Sequence, residues 1–139
     1  MIQIPSLIEA NIAGYLGTFE AISYPIIRAF SLDENTSPCV IVKAGRSTQL
    51  EVSTGVFSGT LEIYIRTQID DVSNALATHD EIVGQTYDAM QAEALVEAFN
   101  LNGKLWFINL EAIEQGASES SLETRLEYAI TCQNLTLEP

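Results

Sequence analysis

From Leu122 to Cys132 the chain alternates without interruption: Leu122, Thr124, Leu126, Tyr128, Ile130 and Cys132 on one side, Glu123, Arg125, Glu127, Ala129 and Thr131 on the other. Successive side chains of a strand point to opposite faces, so this period of two specifies a half-buried strand, longer than the modal strand of about 5–6 residues. A second segment, Phe57 to Gln68, repeats the pattern with Leu61, Ile63 and Ile65 against Glu62, Tyr64 and Arg66. Two such strands demand a sheet with one apolar face, and that face must be covered by another layer.

The cover is written in helical periodicity. Ser6 and Glu9 form a capping-box pair, and Ile8, Ile12, Tyr15, Leu16 and Phe19 recur at helical spacing, which predicts a helix over about 7–21, ending ahead of Tyr24-Pro25. A second capping box, Thr78-His79-Asp80-Glu81, predicts a long helix to about Asn100 with Ile82, Val83, Tyr87, Met90, Ala94, Ala98 and Phe99 inward, closed by Asn102-Gly103.

The remaining apolar runs read as strands. Cys39 to Lys43 follows a polar turn cluster, Asp33 to Pro38, and Leu105 to Leu110 is a continuous apolar run that reads as an interior strand. Ile26 to Phe30 reads as a short strand or an extended linker, and about 114–121 as a loop rich in Gly, Ser and Glu. Thr48 to Gly55 begins a hairpin whose return is the Phe57 strand, and the arm from Ala44 to Gly59 reaches past what a four-stranded core requires. The expected fold class is α+β: a mostly antiparallel four-stranded sheet with two helices packed on one face and an extended β-hairpin arm, in a single domain over 1–139. Exposed strand edges pair readily, so the arm, with Arg46, Gln49, Glu51 and Phe57, is a candidate subunit interface.

Charge excludes several classes of function. Six Lys and Arg face nineteen Asp and Glu, a formal net charge of −13. Nucleic-acid affinity depends on basic side chains displacing counterions, so stable DNA or RNA binding is not expected, and neither is an anionic membrane partner. No apolar run approaches the ~18–20 residues of a membrane span. Met1 to Pro5 has neither the basic start nor the apolar core of a secretory signal, so synthesis and residence in a cytoplasm are expected. Cys39 and Cys132 form no CxxC pair and read as small buried hydrophobes.

Catalytic equipment is sparse. His79, the only histidine, lies near Asp70, Asp71, Asp80 and Glu81, a set that could hold a divalent metal or act as a general base. Acidic residues also favour the first turn of a helix, facing the positive end of its dipole, and this structural role is the preferred reading. There is no GxSxG elbow, no phosphate-binding glycine loop and no basic patch. No enzyme activity, metal or cofactor is expected.

The strand Cys39-Val40-Ile41-Val42 leads to a hairpin ending Gly59-Thr60-Leu61-Glu62-Ile63-Tyr64-Ile65-Arg66-Thr67. Asp70-Asp71, a helix opened by His79-Asp80 and reaching Ala98-Phe99-Asn100, and a last strand Leu122-Glu123-Thr124-Arg125-Leu126-Glu127-Tyr128 after a Gly/Ser loop complete the order. Over about residues 38–135 this order resembles the tail terminator (tail completion) proteins of long-tailed bacteriophages and related contractile particles. The resemblance implies a homo-oligomeric ring, usually of six subunits, that caps the head-proximal end of the tail tube and stops its polymerisation. Its partners would be its own copies, the tail tube protein and a head-closure or neck protein, in the virion, with no catalytic residues. DNA would pass through such a ring without specific binding, and an acidic lumen would keep it mobile. Glu62, Glu111, Glu114, Glu119 and Glu123, with Glu51 and Glu127, are candidate channel-lining acids. Competing readings are a head-closure or adaptor ring, a tail tube subunit, a monomeric α+β binding domain or metal-dependent enzyme built on Asp70, Asp71 and His79, and a soluble immunity or anti-host protein.

Overall fold

A computed structural model describes residues 4–18, 26–28, 39–49, 56–68, 72–91, 93–100, 104–117 and 121–133. Helix α1 (Ile4–Thr18) is followed by β1 (Ile26–Arg28), β2 (Cys39–Gln49), β3 (Val56–Gln68), helices α2 (Val72–Gln91) and α3 (Glu93–Asn100), then β4 (Lys104–Ala117) and β5 (Ser121–Gln133). The sheet order is β1-β2-β3-β5-β4. β2 to β5 pair antiparallel, the four strands expected, and the three-residue β1 adds to β2 in parallel. The segment left open between strand and linker is thus a strand over Ile26–Arg28.

β5 is the straight ruler of the sheet. Its exposure alternates down to Gln133 as its sequence dictates, and it pairs with all thirteen residues of β3 without a register shift. Thr124, Leu126, Tyr128, Ile130 and Cys132 face inward together with Leu61, Ile63 and Ile65 of β3 and Val40 and Val42 of β2. Ile8, Ile12, Tyr15 and Leu16 of α1, Ile82, Ala89 and Met90 of α2 and Leu95 of α3 join them in one cluster, so the helices cover a single face. Removing this apolar surface from water is the main drive to fold, at about 25 cal/mol per Å². Cys39 and Cys132 are both free and buried.

Several boundaries differ from the sequence reading, each for a physical reason. α1 begins at Ile4, which puts Ser6 inside the helix, and Glu9 is fully buried rather than serving a cap. Its Oε2 accepts the Ala44 amide at 3.4 Å. That amide stands at a β-bulge, where the register jumps from Ala44↔Leu61 to Ser47↔Gly59 and two residues of β2 oppose Thr60 alone. Gly45 occupies the bulge because a Cβ there would run into the Thr60 hydroxyl. The strand at Cys39 and the outgoing arm are therefore one continuous β2. The arm's tip, with Glu51, lies outside the described residues.

The second helix begins at Val72, so Thr78 to Glu81 is helix interior and the expected capping box does not cap. The predicted span is covered by α2, to Gln91, and α3, from Glu93 to Asn100, and Ala92 lies outside the described residues. The inward stripe of α2 runs through His79, Ile82, Thr86 and Ala89, which leaves Tyr87 38% exposed and Ala94 exposed, while Leu95 is buried. Tyr15 Oη donates to Ala89 O at 2.7 Å and pins α1 to α2.

β4 is an edge strand, not the interior strand its apolar run suggested; β5 takes the interior place. It also continues through Glu114 to Ala117, where a loop was expected, because β5 offers paired residues from Leu122 onward. Glu111 and Glu114 are consequently strand residues, and Glu119 lies outside the described residues.

Candidate functional site

The face of the sheet turned away from the helices is built by register. Lys43, Glu62 and Glu127 stand in one row across β2, β3 and β5; Tyr64, Arg125 and Glu114 stand in the next across β3, β5 and β4; Arg66 and Glu123 stand in a third. Arg125 donates to Glu62 Oε2 at 3.3 Å and to Glu114 Oε2 at 2.6 Å, spanning three strands, and Arg66 donates through two nitrogens to Glu123 Oε2 at 3.3 Å. Tyr64 donates its hydroxyl to Glu62. That bond, with Arg125 beside it, holds the Glu62 carboxyl below the usual range, while burial and the neighbouring carboxylate push the Tyr64 phenol up to about 12. Opposite charges facing one another across strands stabilise the pairing they sit on.

Four of the seven carboxylates proposed to line a channel, Glu62, Glu114, Glu123 and Glu127, thus stand together on one face, and the first three are each held by an arginine. Among the described side chains of these rows, Lys43, Arg66 and Arg125 oppose Glu62, Glu114, Glu123 and Glu127, three positive charges against four negative. Glu111 is the unpaired residue of a bulge between Leu110 and Ala112 and is exposed. Of the arm residues, Arg46 and Gln49 lie on β2, and Phe57 pairs with Gln49 and Cys132 and packs against the core.

The uncompensated charge lies elsewhere. Residues 67–103 hold seven of the nineteen acids and none of the six Lys and Arg. Asp80, Glu81, Asp88 and Glu97 are exposed on α2 and α3. Sequence reasoning missed this segregation, although the long run without a basic residue was the signal that could have found it.

His79 is not part of an open acidic site. It is 3% exposed, turned toward the sheet, with Nδ1 3.0 Å from Thr67 Oγ1 on β3 and Nε2 2.7 Å from Thr124 Oγ1 on β5. Gln115 Nε2 also donates to Thr124 Oγ1, at 3.3 Å. Burial lowers the imidazole pKa from its ordinary value, opposed by the fields of Asp80 and Glu123. The arrangement is a satisfied polar clasp between helix and sheet. Asp70 and Asp71 lie outside the described residues, and among the described residues no three His, Cys, Asp or Glu side chains group as a metal site. Nor, among these residues, is any helix long and apolar enough to cross a membrane.

A solved virion chain shares this fold. The match is to a chain in the structure titled virion of a native gene transfer agent particle, with a TM-score of 0.50 and 12% identity, over 88% of this chain and 84% of that one. At that identity the likeness is one of fold. No family model and no curated protein matches the chain.

Proposed function

We propose that this chain is a structural virion protein that closes into a homo-oligomeric ring, capping the head-proximal end of a phage-type tail tube. The ring ends tube polymerisation and presents a surface to the head or neck, and the subunit has no catalytic task. The observation that carries this reading is the fold likeness, over 88% of the chain, to a chain of a gene transfer agent virion. The motif order that resembles tail terminators supports the finer assignment. Its partners are then its own copies, the tail tube protein and a head-closure or neck protein, and it resides in the virion.

The charge distribution refines what such a ring offers to passing DNA. A bore lined by the paired sheet face presents alternating charges held in place, with only a slight acidic excess. A bore lined by α2 and α3 presents carboxylates alone and repels a phosphate backbone more strongly. Native mass measurement of the purified protein, beside negative-stain images with and without the tail tube protein, tests the assignment. Closed rings that dock on tube ends and stop their growth are the expected result; a protein that stays monomeric in the presence of tubes, or extends into filaments, overturns it.

A further inference from the structure

Helix α2 is held to the rest of the fold differently in its two halves. In the second half, Ile82, Thr86, Ala89 and Met90 are buried, and Tyr15 of α1 bonds the Ala89 carbonyl at 2.7 Å. In the first half, among the described side chains of residues 76–81, Leu76, Ala77, Asp80 and Glu81 are exposed and Thr78 is half-buried. His79 alone is buried there, and its hold on the sheet is polar: Nδ1 meets Thr67 Oγ1 on β3 and Nε2 meets Thr124 Oγ1 on β5. A segment with few buried apolar contacts opens at low free energy, ahead of the core. One titratable side chain is thus what keeps these turns closed.

A neutral imidazole has one nitrogen that donates and one that accepts, so one of the two threonine hydroxyls donates its proton to the ring. A second ring proton makes both nitrogens donors. That hydroxyl must then turn its own proton away, in an interior where an unmade hydrogen bond is costly. The charge is also disfavoured where water is excluded, and burial already holds the imidazole pKa below its ordinary value. The charges that bear on the ring are Asp80 of α2 and Glu123 of β5; both favour the proton, and neither outweighs burial. Arg66 of β3 is paired with Glu123, and β4 contributes the uncharged Gln115, which donates to Thr124. Opening the first turns of α2 lets the ring hold its proton in water and frees both threonines to bond with water.

We propose that His79 is a pH-sensitive latch: on gaining a proton it releases the first turns of α2 from β3 and β5, while the second half of the helix stays packed on the core. The device does not depend on ring closure, so it stands or falls apart from the assignment above.

The test is hydrogen exchange of the isotope-labelled full chain, followed by NMR at pH 7.5, 6.5 and 5.5. Each amide's rate is divided by that of an unstructured amide at the same pH to give an opening constant. The amides of residues 76–81 are expected to have opening constants at least tenfold above that of Met90 at every pH. A ring that takes its proton only when released, with an ordinary pKa of about 6.5, raises the opening constant about tenfold between pH 7.5 and 5.5. His79→Gln keeps a polar group that does not titrate in this range, and is expected to leave the opening constant unchanged with pH. Equal opening constants at residues 76–81 and at Met90 overturn the proposal, because the turns then come away only with the whole fold. A pH-independent opening in the wild type, or the same rise in His79→Gln, overturns it too. Should the variant not fold, the wild type decides, since His79 is the only histidine in the chain.

Discussion

Acidification isolates the clasp at His79 from everything else in the molecule. The imidazole is buried between α2 and the sheet, its two nitrogens engaged by Thr67 and Thr124. Each threonine hydroxyl can donate or accept, so the hydrogen bonds alone do not bar a second proton. Desolvation does, against the opposing fields of Asp80 and Glu123, and it sets the folded pKa below the ordinary value. The unfolded chain binds a proton at about pH 6.5, and just below that pH it holds more protons than the folded one. Stability is therefore fully present above about pH 6.5 and falls as the pH drops from there toward the folded pKa. A proton excluded wholly from the folded state would cost about 1.4 kcal/mol between pH 7.5 and 5.5, and partial exclusion less. That ceiling corresponds to a shift of roughly 0.5–1 M in a urea midpoint. Carboxyl groups free in water have pKa values of about 4, below this range, and His79 is the only histidine. Urea titrations of the wild type and of His79→Gln at pH 7.5, 6.5 and 5.5 should show the wild type losing stability on acidification and the variant staying flatter. Parallel curves, or a wild type more stable at pH 5.5, would refute the reasoning.

Three further outcomes follow from the packing. Gly45→Ala should cost about 1 kcal/mol by driving Thr60 off its rotamer, and Thr60→Ala in the same chain should recover most of it, which a double-mutant cycle by chemical denaturation measures. Tyr15→Phe strands the Ala89 carbonyl in the interior and should lower stability by about 1–2 kcal/mol in the same assay. Cys39 and Cys132 should alkylate with iodoacetamide only as fast as the chain unfolds, since both are buried and burial raises both thiol pKa values, that of Cys132 to about 11; rapid labelling of either in the native protein contradicts the packing.

What could be read from the sequence was what depends on near neighbours. The alternation of β5 and β3 fixed those strands to within a few residues, because the period of a strand is local and both are covered on one side only. The antiparallel sheet with helices on one face followed from them. The start of α2 was misplaced because Thr78 to Glu81 carries a local capping signal that the burial of His79 overrides. Its inward stripe was rotated because two of its members, His79 and Thr86, are polar and Ala89 is small, so large apolar side chains nearby drew the pattern toward Tyr87. β4 reads as interior in sequence because an apolar run does not reveal which strand lies beside it. The candidate carboxylates were legible as residues but not as ion pairs, since Arg125 reaches Glu62 and Glu114 only through cross-strand register.

The two bulges of β4 bear on how identical copies of this chain avoid pairing along their edges. A strand of fourteen residues with an open side, if flat, would seed amyloid-like stacking of identical chains. The register shifts at Leu105/Phe107 and Leu110/Ala112 cut it into a four-residue stretch and a second one interrupted by Glu114 and Gly116. Neither stretch has the six or so uniformly β-prone, uncharged residues that a dry zipper needs. The bulges and the charge at Glu114 therefore act against edge-to-edge stacking of identical chains.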